Sequence, residues 1–170
     1  FGLVTMVIAV GVGVTVGVIA GFFGGWVDGV LMRLVDLLLA IPFLFIILVA
    51  ASFFGGGDPL MLMLIFGLLS WPVLARLTRA LYLSLREQEY VDAARAVGVR
   101  DRRIAFRHIL PNALGPIIVS ATLVVANAII LEAFVSYLGF GVRSTDISWG
   151  TALTASQGQL ILGNWWWAFF

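Results

Sequence analysis

Four stretches of this 170-residue chain are each about as long as a bilayer is thick: Leu3–Phe23, Val30–Phe54, Pro59–Leu83 and Ala113–Leu138. A helix needs about 20 mostly apolar residues to cross the hydrocarbon layer. Within that layer no water is present to bond the backbone, so such runs are helices that satisfy their own amides. Composition agrees: charged residues make up 11% of the chain and mean hydropathy is +1.10, whereas soluble domains are about one quarter charged. The sequence therefore predicts an all-α, polytopic membrane protein with four complete spans. A fifth apolar run starts near Leu160 and continues through Trp165-Trp166-Trp167 to Phe170. Phe1 already abuts an apolar run, so residues 1–170 read as a single transmembrane domain truncated at both ends.

Between the third and fourth runs the character reverses. Eight of the ten arginines fall from Arg76 to Arg107. Positive charge in short loops is retained on the cytoplasmic side, which makes Arg86–Pro111 a cytoplasmic loop. Alternation then sets Gly24–Gly29 inside, with Gly55–Asp58 and Gly139–Gln159 outside. The outer loops carry one arginine between them, Arg143. Trp165–Trp167 suit interfacial anchoring, and Trp149 suits either such an anchor or a loop that meets a partner on the outer side. The chain has no Cys and one His, which excludes a disulfide framework, a thiolate site and a multi-histidine metal cluster.

The cytoplasmic loop has helical spacing. Tyr90, Ala93, Ala94 and Val97 recur as one small apolar face, with Glu87, Glu89, Asp92 and Arg95 as the polar remainder. Gly98 stops this helix, since glycine accepts the left-handed conformation that ends many helices. Asp101 is placed to cap a second short helix, whose apolar side is Ile104, Ala105, His108 and Ile109, and Pro111 ends it before the next span. Such a pair either rests on lipid headgroups or docks into a partner. Small alanines stand where a lipid-seeking helix carries Trp, Phe and Leu, which favours docking.

Inside the spans, Gly13, Gly17, Gly21 and Gly25 recur every four residues, with Ala9 one step earlier. Small-xxx-small ridges let helix backbones approach closely in lipid. Packing within the subunit is the expectation, and a subunit interface the other reading. Pro42 and Pro72 are expected to kink the second and third spans. Asp36, Arg33, Arg76 and Arg79 lie near the cytoplasmic ends, where pairing or snorkelling explains them better than transport does. Asn127 and Glu132, deeper in the fourth span, are candidates for lining the path or for a structural role.

Asp92-Ala93-Ala94-x-x-x-Gly98, followed by Leu110-Pro111, resembles the EAA loop of ATP-binding-cassette importer permeases. That family's pattern is Glu-Ala-Ala, three residues, Gly, nine residues, Ile-x-Leu-Pro. This chain departs from it at Asp92, which stands for Glu, and at His108, which stands for Ile. The run Phe106-Arg107-His108-Ile109-Leu110-Pro111-Asn112 is similar to the dipeptide, oligopeptide and nickel branch. So are Gly24-Gly25-Trp26-Val27-Asp28, Ala40-Ile41-Pro42-Phe43, Ser70-Trp71-Pro72, Leu138-Gly139-Phe140-Gly141 and Ser148-Trp149-Gly150.

The resemblance implies a helical bundle of the importer-permease type whose EAA helix docks in a cleft of an ATPase subunit. Docking would then fall to Glu89, Tyr90, Asp92, Ala93, Ala94, Gly98, Leu110 and Pro111. It implies a second, similar permease chain, two ATPase subunits and an outer substrate-binding protein. It also implies a bacterial inner-membrane location and a cargo of short peptides or chelated nickel. Glu132 lies in a segment like the family's shared Leu-Glu-Ala-x-x-Ser, which argues for structure over substrate choice. The chain has no Gly-x-x-x-x-Gly-Lys-Ser/Thr loop, so ATP-Mg is expected on the partner and no cofactor on this chain. No His-Glu-x-x-His motif occurs, Ser136 and His108 sit at opposite ends of a span, and no nucleic-acid partner is expected. The rival is a secondary transporter driven by an ion gradient, which calls for paired buried carboxylates or broken helices in matching halves.

Overall fold

The computed structural model describes residues 1–53, 57–143 and 146–168, and all regular structure among them is helical. The order is α1 (Gly2–Phe23), α2 (Gly25–Ala40), α3 (Phe43–Phe53), α4 (Pro59–Leu85), α5 (Glu89–Ala96), α6 (Asp101–Arg103), a π-helical turn (Ile104–Ile109), α7 (Leu110–Tyr137) and α8 (Trp149–Ile161), then a 3-10 turn at Trp165–Ala168. Among the described residues three helices are long and apolar enough to cross a membrane, Gly2–Phe23, Pro59–Leu85 and Asp101–Tyr137, and the spans number four if the bent pair Gly25–Ala40 and Phe43–Phe53 counts as one.

The second expected span, Val30–Phe54, is not one helix. α2 and α3 meet at 82° across Ile41 and Pro42. Proline bars its predecessor from the helical region and offers no amide donor. Ile41 accordingly adopts φ −89 and ψ 131, so Pro42 breaks the segment where a kink was expected. Phe54 lies outside the described residues, as do Gly55 and Gly56 of the first outer loop. Pro72, in contrast, is carried inside α4, and Pro116 inside α7.

α1 and α4 form the most extensive helix pair, and glycine explains why. A Cβ on Gly13 would lie 2.7 Å from Leu74 Cβ, and one on Gly17 would lie 2.5 Å from Thr78 Cβ. On Gly21 it would lie 2.6 Å from Tyr82 Cβ. Backbone therefore lies against side-chain base over two turns, and Ala9 is fully buried on the same side. Gly25 does not belong to this ridge. The chain turns at Gly24, with φ 65, and Gly25 opens α2 with nothing within 4 Å of a Cβ. The expected Gly24–Gly29 loop thus shrinks to that turn.

Pro111 does not end a helix. Asp101–Tyr137 continues for 37 residues as one helix, with the π turn just ahead of the proline. Leu110 donates its amide to the carbonyl of Ala105, five residues back. A widened turn removes the clash a proline ring makes in tight α geometry. Asp101 makes no side-chain cap; Arg100 holds the cap position and Asp101 opens the first turn, where its charge still suits the helix dipole.

The second outer loop, expected over Gly139–Gln159, is helical from Trp149. Ser148 and Thr151 form a capping box at its start, and Gly150 sits directly against α7 at the Ala133 carbonyl, the Ser136 Cβ and the Tyr137 amide nitrogen. The fifth span expected near Leu160 does not begin there. α8 ends at Ile161 and the chain turns at Gly163, φ 86, into Trp165–Ala168. Phe169 and Phe170 lie outside the described residues.

Candidate functional site

The loop from Arg86 to Pro111 is built on one end of the bundle, the end expected to be cytoplasmic and so termed inner. α4 ends at Leu85 with Arg86 as its cap, and the Arg86 guanidinium donates to the carbonyl of Gly21 at 3.2 Å. A cation there satisfies an otherwise open carbonyl at the end of α1. α5 begins at Glu89, where acids at Glu89 and Asp92 occupy its first turn. It ends in a Schellman turn: the Gly98 amide donates to Arg95 O at 2.9 Å and the Val99 amide to Ala94 O at 3.0 Å. Gly98 has φ 77, which a glycine adopts without a Cβ penalty.

The face of α5 expected to meet a partner is exposed except at Ala94. Val91 is 0% exposed and Ala94 is 7% exposed, while Tyr90 is 38% and Val97 78% exposed, with Ala93 also outward. Val91 and Ala94 pack into one cluster with Ile104, Ala105 and Ile109 of the loop, Tyr82 of α4, Val18 of α1, and Ala113 and Ile117 of α7. Of the expected docking face, then, Tyr90, Ala93 and Val97 are exposed and Ala94 alone turns inward, beside Val91, which the sequence reading did not single out. The partners decide this: two stripes on α5 are equally spaced, and the one carrying the branched Val91 meets Tyr82, Ile104 and Ile109.

Tyr82 ties this cluster to the spans. Its side chain is fully buried, and its hydroxyl donates to the Ala105 carbonyl at 3.0 Å. A buried phenol requires such a partner. On the expected apolar side of the second helix, Ile104, Ala105 and Ile109 are buried as read. His108 is half-buried, and its Nδ1 is buried without a hydrogen-bond partner among the described residues. Leu110 is half-buried and Pro111 exposed.

The charges at the inner ends pair off. Arg76 donates to Asp36 at 2.7 Å, with both side chains about half exposed. Arg79 makes a two-pronged contact with Asp28, its terminal nitrogen 2.6 Å from Oδ2, and this pair is much less exposed. Sequence reading anticipated the first pair and missed the second. The available signal was an acid in a short glycine turn beside the first span. Arg33 makes no ion pair among the described residues.

At the outer end Glu132 is buried and accepts a hydrogen bond from the Ser136 hydroxyl at 2.7 Å. The same hydroxyl accepts from the Val142 amide at 3.1 Å. The carboxylate thereby fixes the start of the outer connection. Asn127 is exposed on α7, away from the packed core. The loop residues and the Asn127–Glu132 pair are at opposite ends of one helix, so they form separate sites.

The family described as "Binding-protein-dependent transport system inner membrane component" matches this chain over residues 13–169. The chain is 42% identical over 167 residues to a Brucella ovis protein described as a peptide permease, covering 97% of this chain and 55% of that protein. It is 40% identical over 153 residues to the oligopeptide transport system permease protein of Mycobacterium tuberculosis H37Rv, covering 89% and 53%. For the oligopeptide transport system permease protein of Escherichia coli K12 the identity is 38% over 142 residues, covering 84% and 47%. The chain spans about half the length of these relatives. Their names agree with the dipeptide, oligopeptide and nickel branch that the Phe106–Asn112 run resembles. With its apolar helices and this match over nearly its whole length, the chain belongs to the family of binding-protein-dependent transport system inner membrane components.

Proposed function

We propose that this chain is the membrane-spanning part of a permease subunit in an importer driven by ATP hydrolysis on a separate protein. In this reading α5 is the surface on which the ATPase acts. The supporting observation is the way α5 is held. Its inner side is buried in a cluster with side chains of α1, α4 and α7, while Tyr90, Ala93 and Val97 face outward. Interiors packed this way transmit displacement because they compress little. A push on α5 therefore reaches three spanning helices at once.

Glu89, Tyr90, Asp92 and Ala93 make the contact in this account. Ala94, Gly98, Leu110 and Pro111 set the shape that presents them. The domain is single, with its coupling loop at 86–111 on the cytoplasmic face of a bacterial inner membrane. A second permease chain, similar but not identical, completes the path. Two ATPase subunits hold ATP-Mg, this chain binds no cofactor, and an outer binding protein delivers the cargo. The relatives' names favour peptides over chelated nickel. The ion-gradient rival calls for broken spans in matching halves, and among the described residues one break occurs, at Ile41–Pro42.

The test is co-purification of the full-length protein with its ATPase subunits in mild detergent, wild type against Ala93→Trp. Ala93 is exposed, so an indole there blocks a cleft without disturbing the core; Ala94, buried, is unsuitable. Loss of the ATPase with an unchanged membrane-inserted level is expected. Retention of the ATPase by both Ala93→Trp and Val97→Trp would remove α5 as the docking surface.

A further inference from the structure

The loop is electrically divided. From 87 to 96 it carries three acids, Glu87, Glu89 and Asp92, and one arginine, Arg95, paired to Asp92 at 3.1 Å. From 97 to 107 it carries four arginines, Arg100, Arg102, Arg103 and Arg107, and one acid, Asp101. All four arginines are exposed, and none makes an ion pair among the described residues. Arg100, Arg102 and Arg103 line a groove of about 750 Å³ together with Val97 and Phe106. Phe106 is 53% exposed, so cations with no ion pair among the described residues stand beside a half-exposed apolar ring.

The depth of this groove is set by the Tyr82–Ala105 hydrogen bond. On α4, Arg79 and Arg76 lie about one and two turns from Tyr82 toward the membrane, or about 5–10 Å. Their pairs with Asp28 and Asp36 mark where the apolar bundle ends. The hydrogen bond therefore puts the groove about 5–10 Å beyond that boundary, at the aqueous side of a headgroup layer about 5–7 Å deep on each side of the hydrocarbon.

We infer that this groove binds the headgroup of an anionic phospholipid of the cytoplasmic leaflet. Arginine forks match phosphate oxygens, and basic segments next to spanning helices attract anionic lipid. Phe106 and Val97 lie against the glycerol and first methylenes. An acidic protein surface would neutralise the arginines but leave Phe106 facing charge. The α5 side, which faces the ATPase in the proposed function, carries the opposite sign. The inference does not depend on that docking.

The test uses the full-length protein with its partner subunits, reconstituted in mixed phosphatidylcholine–phosphatidylglycerol vesicles and extracted in mild detergent. Retained lipid is counted by native mass spectrometry for wild type, for Arg100→Gln/Arg102→Gln/Arg103→Gln, and for the same three positions changed to Lys. The glutamine triple is expected to lose phosphatidylglycerol by about twofold or more, with phosphatidylcholine unchanged and the lysine triple near wild type. If the glutamine triple does not insert, Arg103→Gln alone is expected to lose less, in the same direction. Equal phosphatidylglycerol retention by wild type and the glutamine variant overturns the inference. Loss of the ATPase with lipid retention unchanged also overturns it, by making the patch a protein contact.

Discussion

Substituting Gly17 by Ala tests the architecture most directly. The added carbon would stand 2.5 Å from Thr78 Cβ and 2.6 Å from Ala75 O, where carbon contacts settle at about 3.5–4.0 Å. α1 and α4 must therefore separate by roughly 1 Å along their closest stretch, and close packing makes this cost about 1–3 kcal/mol. Gly11→Ala is the matched control. It lies on the same helix with nothing within 4 Å of a Cβ, and alanine there gains up to about 1 kcal/mol of helix propensity. The assay is equilibrium unfolding of the purified full-length protein in mixed detergent micelles, with oligomeric state followed in parallel. Gly17→Ala is expected to unfold earlier than wild type, and Gly11→Ala to match or exceed wild type, with no change in assembly for either. Equal stability of the two variants would refute the close approach. Dissociation of subunits by Gly17→Ala without loss of subunit stability would move the ridge to a subunit interface.

Two further outcomes follow from the ion pairs and the loop turn. Arg79→Gln leaves the largely covered Asp28 carboxylate alone and is expected to destabilise by about 1–3 kcal/mol, partly restored by Asp28→Asn. Arg76→Gln, at a pair about half exposed, should cost under about 1 kcal/mol in the same unfolding assay; a reversed order would contradict the burial. Gly98→Ala forces a Cβ into φ 77 and is expected to cost about 1–2 kcal/mol, read as faster hydrogen exchange at the Val99 amide. Gly98→Asn should cost less, and an Ala variant exchanging like wild type would rule out the left-handed turn.

Local signals carried much of this structure. The length of the apolar runs placed α1, α4 and α7. The four-residue glycine spacing pointed to a close helix contact, and a glycine after eight helical residues marked the turn at Gly98. What escaped depends on partners distant in the chain. The exposed side of α5 at Tyr90, Ala93 and Val97 was legible, but its anchoring through Val91 and Ala94 depends on Tyr82, Ile104 and Ile109. Pro42 announces that Ile41 cannot be helical, but the 82° angle depends on what α2 and α3 each pack against. Asp28 and Arg79 are 51 residues apart, and no local rule joins them. Pro111 looks like a helix end because its ring is costly in α geometry; the preceding π turn, which no residue pattern spelled out, accommodates it.

That turn has a mechanical consequence. At about 1.5 Å per residue the 37 residues from Asp101 to Tyr137 make a continuous helical arm of about 55 Å, which carries the π turn and Pro116 without a break. Tilted by about 5° about its middle, such an arm moves each tip by about 2.4 Å in opposite senses. The inner tip carries Arg103 and Phe106, and near the outer tip Glu132 and Ser136 hold the Val142 amide. Where the arm moves as one piece, a displacement of one tip by less than a water diameter swings the other by an equal distance the opposite way, so the connections at its two ends share a single motion.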